Sequence, residues 1–392
     1  MLPAGDDMSI REIGQASGFL LVVSTCALQA AGPIAKASAQ SLVPRWERSF
    51  ATEDRLLRYR GSLDLNSREM VFAAMSYARG TDRVTPRLWL WRVEKDSGEA
   101  DRLPVQMPAT TKETSQAQFE VYDLEAFSVV HGGAIVAILE ALPRGHWLVT
   151  LDSGGRVLSA GEIRVTDTDM AFTQILADKR GGFFAAGVSR SKAYLARLRD
   201  SGEIIWERHG GDAAEVSLAS TGGGLILAVN RVSTLGHTSV PAEIGIELYD
   251  VDGTQKATTK LSGRRGRLSP SGSHVGLVYD IGLADALDIR LTEFDPTLQP
   301  LRTSQIVSSE QGFAGFRIVP AGDGGYVVAG AKELKPFAKK IRSSGQAAWS
   351  FWGEGQPIGV DVDVVASAQG VFLLYPRLDK TGTTIRVVAL KE

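Results

Sequence analysis

Histidine and aspartate are the side chains of this sequence best suited to acid–base or metal chemistry, and they are scattered. The five histidines are His131, His146, His209, His237 and His274. The chain contains no HExxH zinc motif, no Gly-x-Ser-x-Gly motif, no phosphate-binding loop and no clustered metal-ligand spacing. Asp250 with Asp252, and Asp361 with Asp363, supply two carboxylates each, fewer oxygens than Ca²⁺ requires. We therefore expect no metal or cofactor, and a catalytic site would have to be assembled from distant segments.

The elements that position these residues are predicted to be strands. Residues 172–211, FTQILADKRGGFFAAGVSRSKAYLARLRDSGEIIWERHGG, contain short apolar runs separated by Gly-Gly, Ser-Arg-Ser and Asp-Ser-Gly. Short runs rich in aromatic and β-branched residues indicate strands rather than helices. The glycines supply the positive φ angles that tight hairpins need. This stretch predicts one four-stranded antiparallel sheet, which cannot bury both of its faces alone.

Weaker copies of this stretch recur along most of the chain. The first turn of each copy falls near residues 67, 132, 181, 223, 272, 324 and 370, and five of the six spacings lie between 42 and 52 residues. A period of about 40–50 residues is typical of propellers, whose blades cover one another. The predicted blades span about 55–107, 121–165, 172–211, 216–261, 266–307, 313–353 and 360–392. Thr110–Gln118, in the long first spacing, is predicted to be an inserted loop.

The seventh copy ends one strand short, and the missing strand is predicted near the N-terminus. Residues 43–50, VPRWERSF, match EIIWERHG of the third copy, and both contain a Trp-Glu-Arg triplet, at Trp46 and Trp206. Pairing residues 43–50 with the last blade removes the exposed edges of an open ring. The prediction is an all-β chain forming a seven-bladed β-propeller closed by its N-terminal strand. An open or eight-bladed ring and a two-domain β-sandwich are the alternatives.

Loops between the second and third strands of a blade are predicted at 78–87, Ser233–Ala242 and Ile281–Leu287. In a propeller such loops lie with the blade-to-blade connections on one rim, beside the mouth of the central channel. That rim is the default binding surface, because loops on a rigid scaffold tolerate functional variation. Trp89 and Trp91 alternate with other residues and are predicted to pack between sheets, with a carbohydrate-stacking platform as the alternative.

The first 40 residues differ from the rest and resemble a secretory signal peptide. Arg11 precedes an apolar stretch, Gly18–Ala31, which is followed by Ala37-Ser38-Ala39. The uninterrupted apolar core is shorter than the ~20 residues of a membrane span. We predict cleavage near Ala39 and a periplasmic or secreted mature chain forming one propeller domain, residues 41–392. The formal charge of −2 over 392 residues gives no electrostatic reason to expect nucleic acid as a partner.

Cys26 is the only cysteine and offers a second interpretation of this segment. Val23-Ser24-Thr25-Cys26 loosely resembles a bacterial lipoprotein cleavage box, in which Cys26 would carry the lipid anchor. Thr25 fits that box poorly, and the apolar core before it is short, so cleavage near Ala39 is favoured. The mature chain would then have no cysteine, which suits an oxidising compartment without requiring disulfides.

Two copies carry a resemblance to a known family. GGYVVAG followed by SSGQAAW, within residues 324–349, resembles the repeats of secreted bacterial β-propellers. SGEIIWERHGG, residues 201–211, is similar to the tryptophan-docking repeat of the pyrroloquinoline-quinone-type propeller superfamily. The resemblance covers about two blades and the strand at Trp46. That superfamily includes quinone-dependent dehydrogenases and a cofactor-free scaffold lipoprotein, and Trp206 and Trp349 are predicted to pack blades together.

Two functional classes stay open. The first is an exported, non-enzymatic binding or scaffold module whose loop rim binds a protein or peptide. The second is an envelope hydrolase, lyase or oxidoreductase with a site assembled at the channel. The residues predicted for such a site are His237, His274, Asp280 and Asp285. Convergence of two of them within about 5 Å would favour an enzyme, and an exposed apolar patch would favour a binding module.

Overall fold

Strands make up the regular structure of every part of the chain that the computed structural model describes. The described residues are 40–51, 57–79, 84–105, 120–130, 133–142, 145–167, 169–231, 242–283, 286–309, 313–354, 357, 362–379 and 382–391. They belong to one unit, Ala39–Glu392. Within these ranges no helix is long and apolar enough to cross a membrane. The predicted signal peptide up to Ala39, with Cys26, and the predicted insert Thr110–Gln118 lie outside the described residues.

The strands form seven sheets. Two strands come first, β1 (Gln40–Ser41) and β2 (Pro44–Phe50). Blade one contains β3 (Leu57–Asp64), β4 (Glu69–Arg79), β5 (Val84–Glu94) and β6 (Ala100–Pro104). Blade two contains β7 (Glu120–Val129), β8 (Ile135–Leu142), β9 (Gly145–Leu151) and β10 (Val157–Ile163). Blade three contains β11 (Met170–Ala177), β12 (Phe183–Ser189), β13 (Lys192–Leu198) and β14 (Ile204–Asp212).

The remaining four sheets follow the same order. Blade four contains β15 (Glu215–Thr221), β16 (Gly224–Asn230), β17 (Glu243–Tyr249) and β18 (Gln255–Ser262). Blade five contains β19 (Arg264–Ser271), β20 (His274–Leu283), β21 (Ala286–Phe294) and β22 (Pro300–Ser309). Blade six contains β23 (Phe313–Pro320), β24 (Tyr326–Lys332), β25 (Lys335–Ile341) and β26 (Ala347–Trp352). Blade seven contains β27 (Asp363–Ser367), β28 (Gly370–Asp379) and β29 (Gly382–Leu390).

The N-terminal strand closes the ring, as predicted. β2 pairs antiparallel with β29, in a register that joins Trp46 to Ala389 and Phe50 to Ile385, and becomes the fourth strand of blade seven. The first strands of neighbouring blades contact one another around the ring, and β27 of blade seven contacts β3 of blade one. The chain is a seven-bladed β-propeller, so the predicted fold class and blade number are confirmed.

Burial follows the position of a strand within its blade. Every residue of β16 is buried, because the second strand of a blade packs against a neighbouring blade on both faces. β18, the fourth strand of the same blade, alternates between half-buried and exposed residues along most of its length. The period of two puts one face of this outer strand against the next blade and the other in water. Seven apolar clusters between blades make up the core.

Aspartates shape the turns at one end of the ring. The turns between first and second strands, and between third and fourth strands, lie at this end, which we call the turn rim. Asp152 Oδ1 accepts hydrogen bonds from the backbone N–H groups of Gly154 and Arg156, both at 2.9 Å. Asp250 Oδ1 accepts in the same way from Asp252 and Thr254, at 3.0 and 2.8 Å. These side chains replace backbone partners that a tight turn cannot supply. The opposite end, where the first strands begin, is the connection rim.

Each Trp-Glu-Arg triplet docks an outer strand on the next blade. The ring of Trp46 in β2 covers Gly98 in blade one, and its Nε1 donates to the carbonyl of Lys95 at 3.0 Å. The ring of Trp206 in β14 covers Gly253 in blade four in the same way. A Cβ at either glycine would approach the tryptophan ring to about 3 Å, and both glycines have positive φ. Glycine therefore permits both the turn and the close approach of the ring.

Trp349 lies in the equivalent position of blade six but meets a different partner. Blade seven has no turn between its third and fourth strands, because its fourth strand, β2, comes from the other end of the chain. Instead β1 pairs in parallel with β26, with Gln40 opposite Trp349, as a fifth strand of blade six. Leu42 packs against the cluster that buries Trp349. This fifth strand was not predicted from the sequence.

Two predicted loops are wrong. β4 continues to Arg79 and β5 begins at Val84, so most of the predicted loop 78–87 is strand. Likewise β20 continues to Leu283 and β21 begins at Ala286, within the predicted loop Ile281–Leu287. Pro86 is accommodated because it has a partner strand on one side only. It pairs with Tyr77 of β4, whereas the pairing of β5 with β6 starts at Trp89. The missing N–H of Pro86 therefore interrupts no hydrogen-bonded ladder on that side.

Replacement of Trp46 by alanine should loosen ring closure. We expect Trp46→Ala to lower the free energy of unfolding by about 2–3 kcal/mol, because it removes a large half-buried ring and its contact with blade one. Val43→Ala is the control, since Val43 is 79% exposed just before β2 and should change stability by less than about 0.5 kcal/mol. Urea unfolding followed by tryptophan fluorescence and circular dichroism measures both. Equal stability of the two variants would contradict a closing role for Trp46.

Candidate functional site

All seven blades line one cavity, of about 580 Å³, near the connection rim. Most of its wall comes from the first halves of the first strands, which face the channel and therefore have no neighbouring sheet on that side. The wall is rich in charge of both signs. Its cations are Arg60, Arg265, Arg267 and Arg317, and its carboxylates are Asp123, Glu125, Glu140, Glu215 and Asp363. A volume of this size lies within the roughly 300–1,000 Å³ of small-molecule sites.

A bulge at the start of β19 presents the arginines of blade five. The register with β20 shifts between Arg264 and Arg267, and Arg265 has a φ of 54°. Asn230 of blade four fixes the bulge, because its Oδ1 accepts from the Gly266 N–H at 2.6 Å and its Nδ2 donates to the Gly266 carbonyl at 3.2 Å. A left-handed conformation at a non-glycine residue costs energy. The bulge therefore holds Arg265 in an orientation that a regular strand would not give it.

The three arginines of blades five and six differ in how fully they are paired. Arg265 Nη2 lies 2.9 Å from Asp280 Oδ2, and Arg267 forms a salt bridge with Glu215. Burial lowers the pKa of Arg267, and the charges of Arg317 and Arg265 lower it further. Arg317 is 43% exposed, and its nearest ion-pair contact is Nε to Asp363 Oδ1 at 4.0 Å. The cationic side of the cavity thus has one guanidinium without a close counter-ion among the described residues.

Carboxylates dominate the wall of blade two. Asp123 forms a salt bridge with Arg60 of blade one. Glu125 Oε2 lies 2.8 Å from His146 Nδ1, and Glu125 Oε1 accepts from the Phe172 N–H at 3.3 Å. Burial raises the pKa of Glu125, although the bond to His146 opposes the shift. The charge of Glu140 raises the pKa of Glu125 further.

Asp363 joins the last blade to the first at the edge of the cavity. Its Oδ2 accepts from Tyr59 Oη at 2.9 Å, from the Ser62 N–H at 2.9 Å and from Ser62 Oγ at 3.1 Å. Its Oδ1 accepts from the Val364 N–H at 2.8 Å. Burial, and then the charge of Asp363, raise the pKa of Tyr59 well above 10. These four hydrogen bonds fix the orientation of the carboxylate, and its Oδ1 remains 4.0 Å from Arg317 Nε.

The residues predicted for an assembled catalytic site have different surroundings. His274 begins β20 at the turn rim, whereas Asp280 lies six residues along the same strand, roughly 20 Å away in an extended chain. Asp280 is 1% exposed and holds Arg265 from behind the cavity wall. His237 and Asp285, like His131, lie outside the described residues. His209 packs edge-on against Tyr194 at 5.3 Å.

Of the residues that line the cavity, only Asp363 had been considered from the sequence, as one of a pair of carboxylates. His146 and Glu125 are on the third and first strands of blade two, 21 residues apart in the sequence, so no local motif marks their hydrogen bond. The basic run Arg264-Arg265-Gly266-Arg267, at the predicted start of blade five near residue 266, was a visible signal to which no role had been assigned. Among the described residues, no three His, Cys, Asp or Glu side chains are arranged to hold a metal ion.

Comparison with known proteins shows the fold alone. No family model matches the sequence, and no curated protein matches it. The β-propeller domain of the Trilobed protease from Pyrococcus furiosus is similar in structure, with a TM-score of 0.53 and 10% identity over 86% of this chain and 94% of that chain. A putative 6-phosphogluconolactonase from Bacteroides fragilis gives a TM-score of 0.51 and 12% identity over 82% and 90%. The WD40 domain of Toxoplasma gondii coronin gives 0.51 and 8% over 90% and 88%.

Asp363 is predicted to be important for stability as well as for the shape of the cavity. Asp363→Asn leaves a single acceptor oxygen. Its amide N–H₂ must then face either the donors of Tyr59 and Ser62 or the Val364 N–H, so at least one buried donor loses its partner. We expect a loss of about 2–3 kcal/mol in the free energy of unfolding. Asp101→Asn is the control, because Asp101 is 69% exposed in its pair with Arg92 and should change stability by less than about 1 kcal/mol. Urea denaturation that gives similar values for both variants would contradict the role of Asp363.

The buried Glu125 should make stability depend on pH. Its folded-state pKa is raised above the ordinary 4.5, so the folded chain binds this proton more tightly than the unfolded chain does. That contribution is complete below pH 4.5 and is lost as the pH rises through the folded pKa. The free energy of unfolding of the wild type, minus that of Glu125→Gln, should therefore fall as the pH rises above 4.5.

Urea denaturation from pH 4.5 to about 8 tests this dependence. The same pair of proteins in a His146→Asn background removes the titration of the imidazole. The fall should persist there, because burial is the largest cause of the raised pKa of Glu125. If the stability of the Glu125 protein and that of its Glu125→Gln variant changed in parallel with pH, in either background, the prediction would be contradicted.

Proposed function

We propose that this chain is an exported binding module that receives its partner, a peptide or a peptide segment of a protein, in the cavity at the connection rim. The observation that carries the proposal is the cavity wall, in which charged side chains of both signs project from the first strands of a closed ring. First strands are held by neighbours along the sheet and on both sides of the ring. A site on such elements keeps its geometry before the partner arrives, which lowers the ordering cost of binding.

Export is the second part of the proposal. The apolar segment Gly18–Ala31 with the small residues Ala37-Ser38-Ala39 supports cleavage near Ala39 and a periplasmic or extracellular location. Lipid attachment at Cys26 is the competing form of the same proposal. The intact mass of the protein purified from its native source distinguishes them, because a lipid-bearing chain beginning at Cys26 is heavier than one beginning near Gln40.

A relationship to the tryptophan-docking propellers is a further part of the proposal. The docking of Trp46 on Gly98 and of Trp206 on Gly253 supports it, because both tryptophans lie within the repeats that resemble that superfamily. Within such a superfamily we place this chain among the members that act as binding or scaffold modules rather than as quinone enzymes.

An enzyme is the second candidate function, and the hydrogen bond between Glu125 and His146 favours it. A carboxylate that orients an imidazole next to a cavity is a common acid–base arrangement. His146 is 7% exposed, and Glu125 rather than His146 lines the cavity. If the chain is an enzyme, a compound retained by the protein should be converted on incubation, and Glu125→Gln should stop the conversion.

A channel-blocking variant tests the binding proposal. Ala171 lines the cavity and is exposed there, so Ala171→Trp should fill the mouth and abolish retention of the native partner. Leu158→Trp places the same new side chain on β10, at a position that is 54% exposed, and should retain the partner. The full chain is isolated from its native source, and mass spectrometry identifies peptides and small molecules that remain bound. Equal retention by both variants would exclude the cavity as the binding site.

A further inference from the structure

We propose that the cavity binds a dipolar ligand, with a carboxylate against the arginines of blades five and six and an ammonium group against the carboxylates of blade two. A short peptide with free termini has this chemistry. The inference rests on the proposed function. It adds the charge pattern of the ligand and the two residues that recognise it, Arg317 and Glu140.

The two charged walls face each other across the ring. Blade two contributes Asp123, Glu125 and Glu140, whereas blades five and six contribute Arg265, Arg267 and Arg317. In a ring of seven blades, the point opposite blade two falls between blades five and six. Arg317 and Glu140, one from each of these groups, therefore lie on opposite sides of the cavity, and a ligand with separated charges can span them.

On the arginine wall, Arg317 is available to bind a ligand. Asp280 holds Arg265, and Glu215 holds Arg267. Arg317 contacts Asp363 only through Nε at 4.0 Å, while Asp363 already accepts from Tyr59, Ser62 and the Val364 N–H. The two terminal amino groups of Arg317 have no hydrogen-bond partner among the described residues. A planar guanidinium with both terminal groups available suits a carboxylate, which it can bind through two parallel hydrogen bonds.

On blade two, Glu140 is available to bind a ligand. Arg60 neutralises Asp123, and His146 together with the Phe172 N–H engages Glu125. The Glu140 carboxylate forms no hydrogen bond or ion pair with any described side chain, although it lines the cavity. It lies close enough to Glu125 for the two charges to repel each other. An ammonium group placed between these two carboxylates would relieve that repulsion.

Ligands with charge of one sign fit the cavity less well. An anion attracted by Arg317 would also experience the carboxylates of blade two, and a cation attracted by Glu140 would experience the four guanidinium groups of the wall. In a dipolar ligand each charge lies next to the wall of opposite sign, so both walls contribute attraction. The charge pattern of the wall thus discriminates through repulsion as well as attraction.

Three versions of one peptide separate the two contributions. Tetra-alanine with free termini is dipolar, its N-acetylated form carries only the carboxylate, and its C-terminally amidated form carries only the ammonium. We expect the free peptide to bind the full chain at least tenfold more tightly than either blocked form, as measured by isothermal titration calorimetry at pH 7 and low salt. Arg317→Gln should weaken the free and acetylated peptides roughly tenfold and leave the amidated peptide unchanged. Glu140→Gln should weaken the free and amidated peptides and leave the acetylated peptide unchanged.

Matched controls carry the same changes away from the cavity. Arg164→Gln removes an arginine whose side chain is 86% exposed, and Glu203→Gln removes a glutamate that is 61% exposed. Both should bind all three peptides like the wild type. Urea denaturation of the four variants checks that each is folded. This control matters most for Arg317→Gln, because Arg317 lies 4.0 Å from the buried carboxylate of Asp363.

The outcomes distinguish this inference from the proposed function. Equal affinity for the three peptides, or tightest binding of a blocked form, would overturn the dipolar ligand while leaving binding in the cavity intact. The same conclusion applies if no peptide binds but the wild type retains another compound that Ala171→Trp loses. If no peptide binds and Ala171→Trp retains the same compounds as the wild type, both proposals fail.

Discussion

Pairing of β2 with β29 is the interaction on which the rest of this propeller depends. Without it the third strand of blade seven would present an unpaired edge, and blade seven would have no outer strand to dock on blade one. The same closure brings Asp363 within hydrogen-bond distance of Tyr59 and Ser62, residues about 300 positions away in the sequence. The cavity exists as an enclosed site only because this contact completes the ring, so its shape is coupled to the pairing that spans the most sequence among the described strands.

The predictable part of the fold is the part determined by local chemistry. Turns with Asp, Ser and Gly recur at near-constant spacing, and their aspartates form hydrogen bonds within four residues, as at Asp152 and Asp250. The Trp-Glu-Arg match identified the closing strand because docking on a glycine turn needs the same residues in both places. Strand lengths around 78–87 and 281–287, and the pairing of β1, were not predictable, since they depend on register with distant partners.

The candidate site was less predictable than the fold for a related reason. Sequence reasoning favoured histidines and aspartates in loops, whereas the described cavity is built from the beginnings of first strands. Each blade contributes one or a few of these residues, so the relation between Glu140 and Arg317 appears only after the blades are arranged in a ring. The bond of Glu125 to His146 likewise joins two strands that are not neighbours within blade two. Only the Arg264–Arg267 run was concentrated enough to be visible in the sequence.

Several residues around the cavity are placed at a cost in stability, which supports a role for the cavity beyond stability. The bodies of the blades are mostly apolar. Around the cavity lie a left-handed arginine at 265, a buried glutamate with a raised pKa and, at 317, a guanidinium with no counter-ion closer than 4.0 Å among the described residues. Replacing buried ion pairs with apolar groups of similar size is often neutral or stabilising. A propeller selected for stability alone could therefore fill this region with apolar side chains. Local violations of packing rules that are supported by specific neighbours, as Asn230 supports the bulge at Gly266, are expected at functional sites.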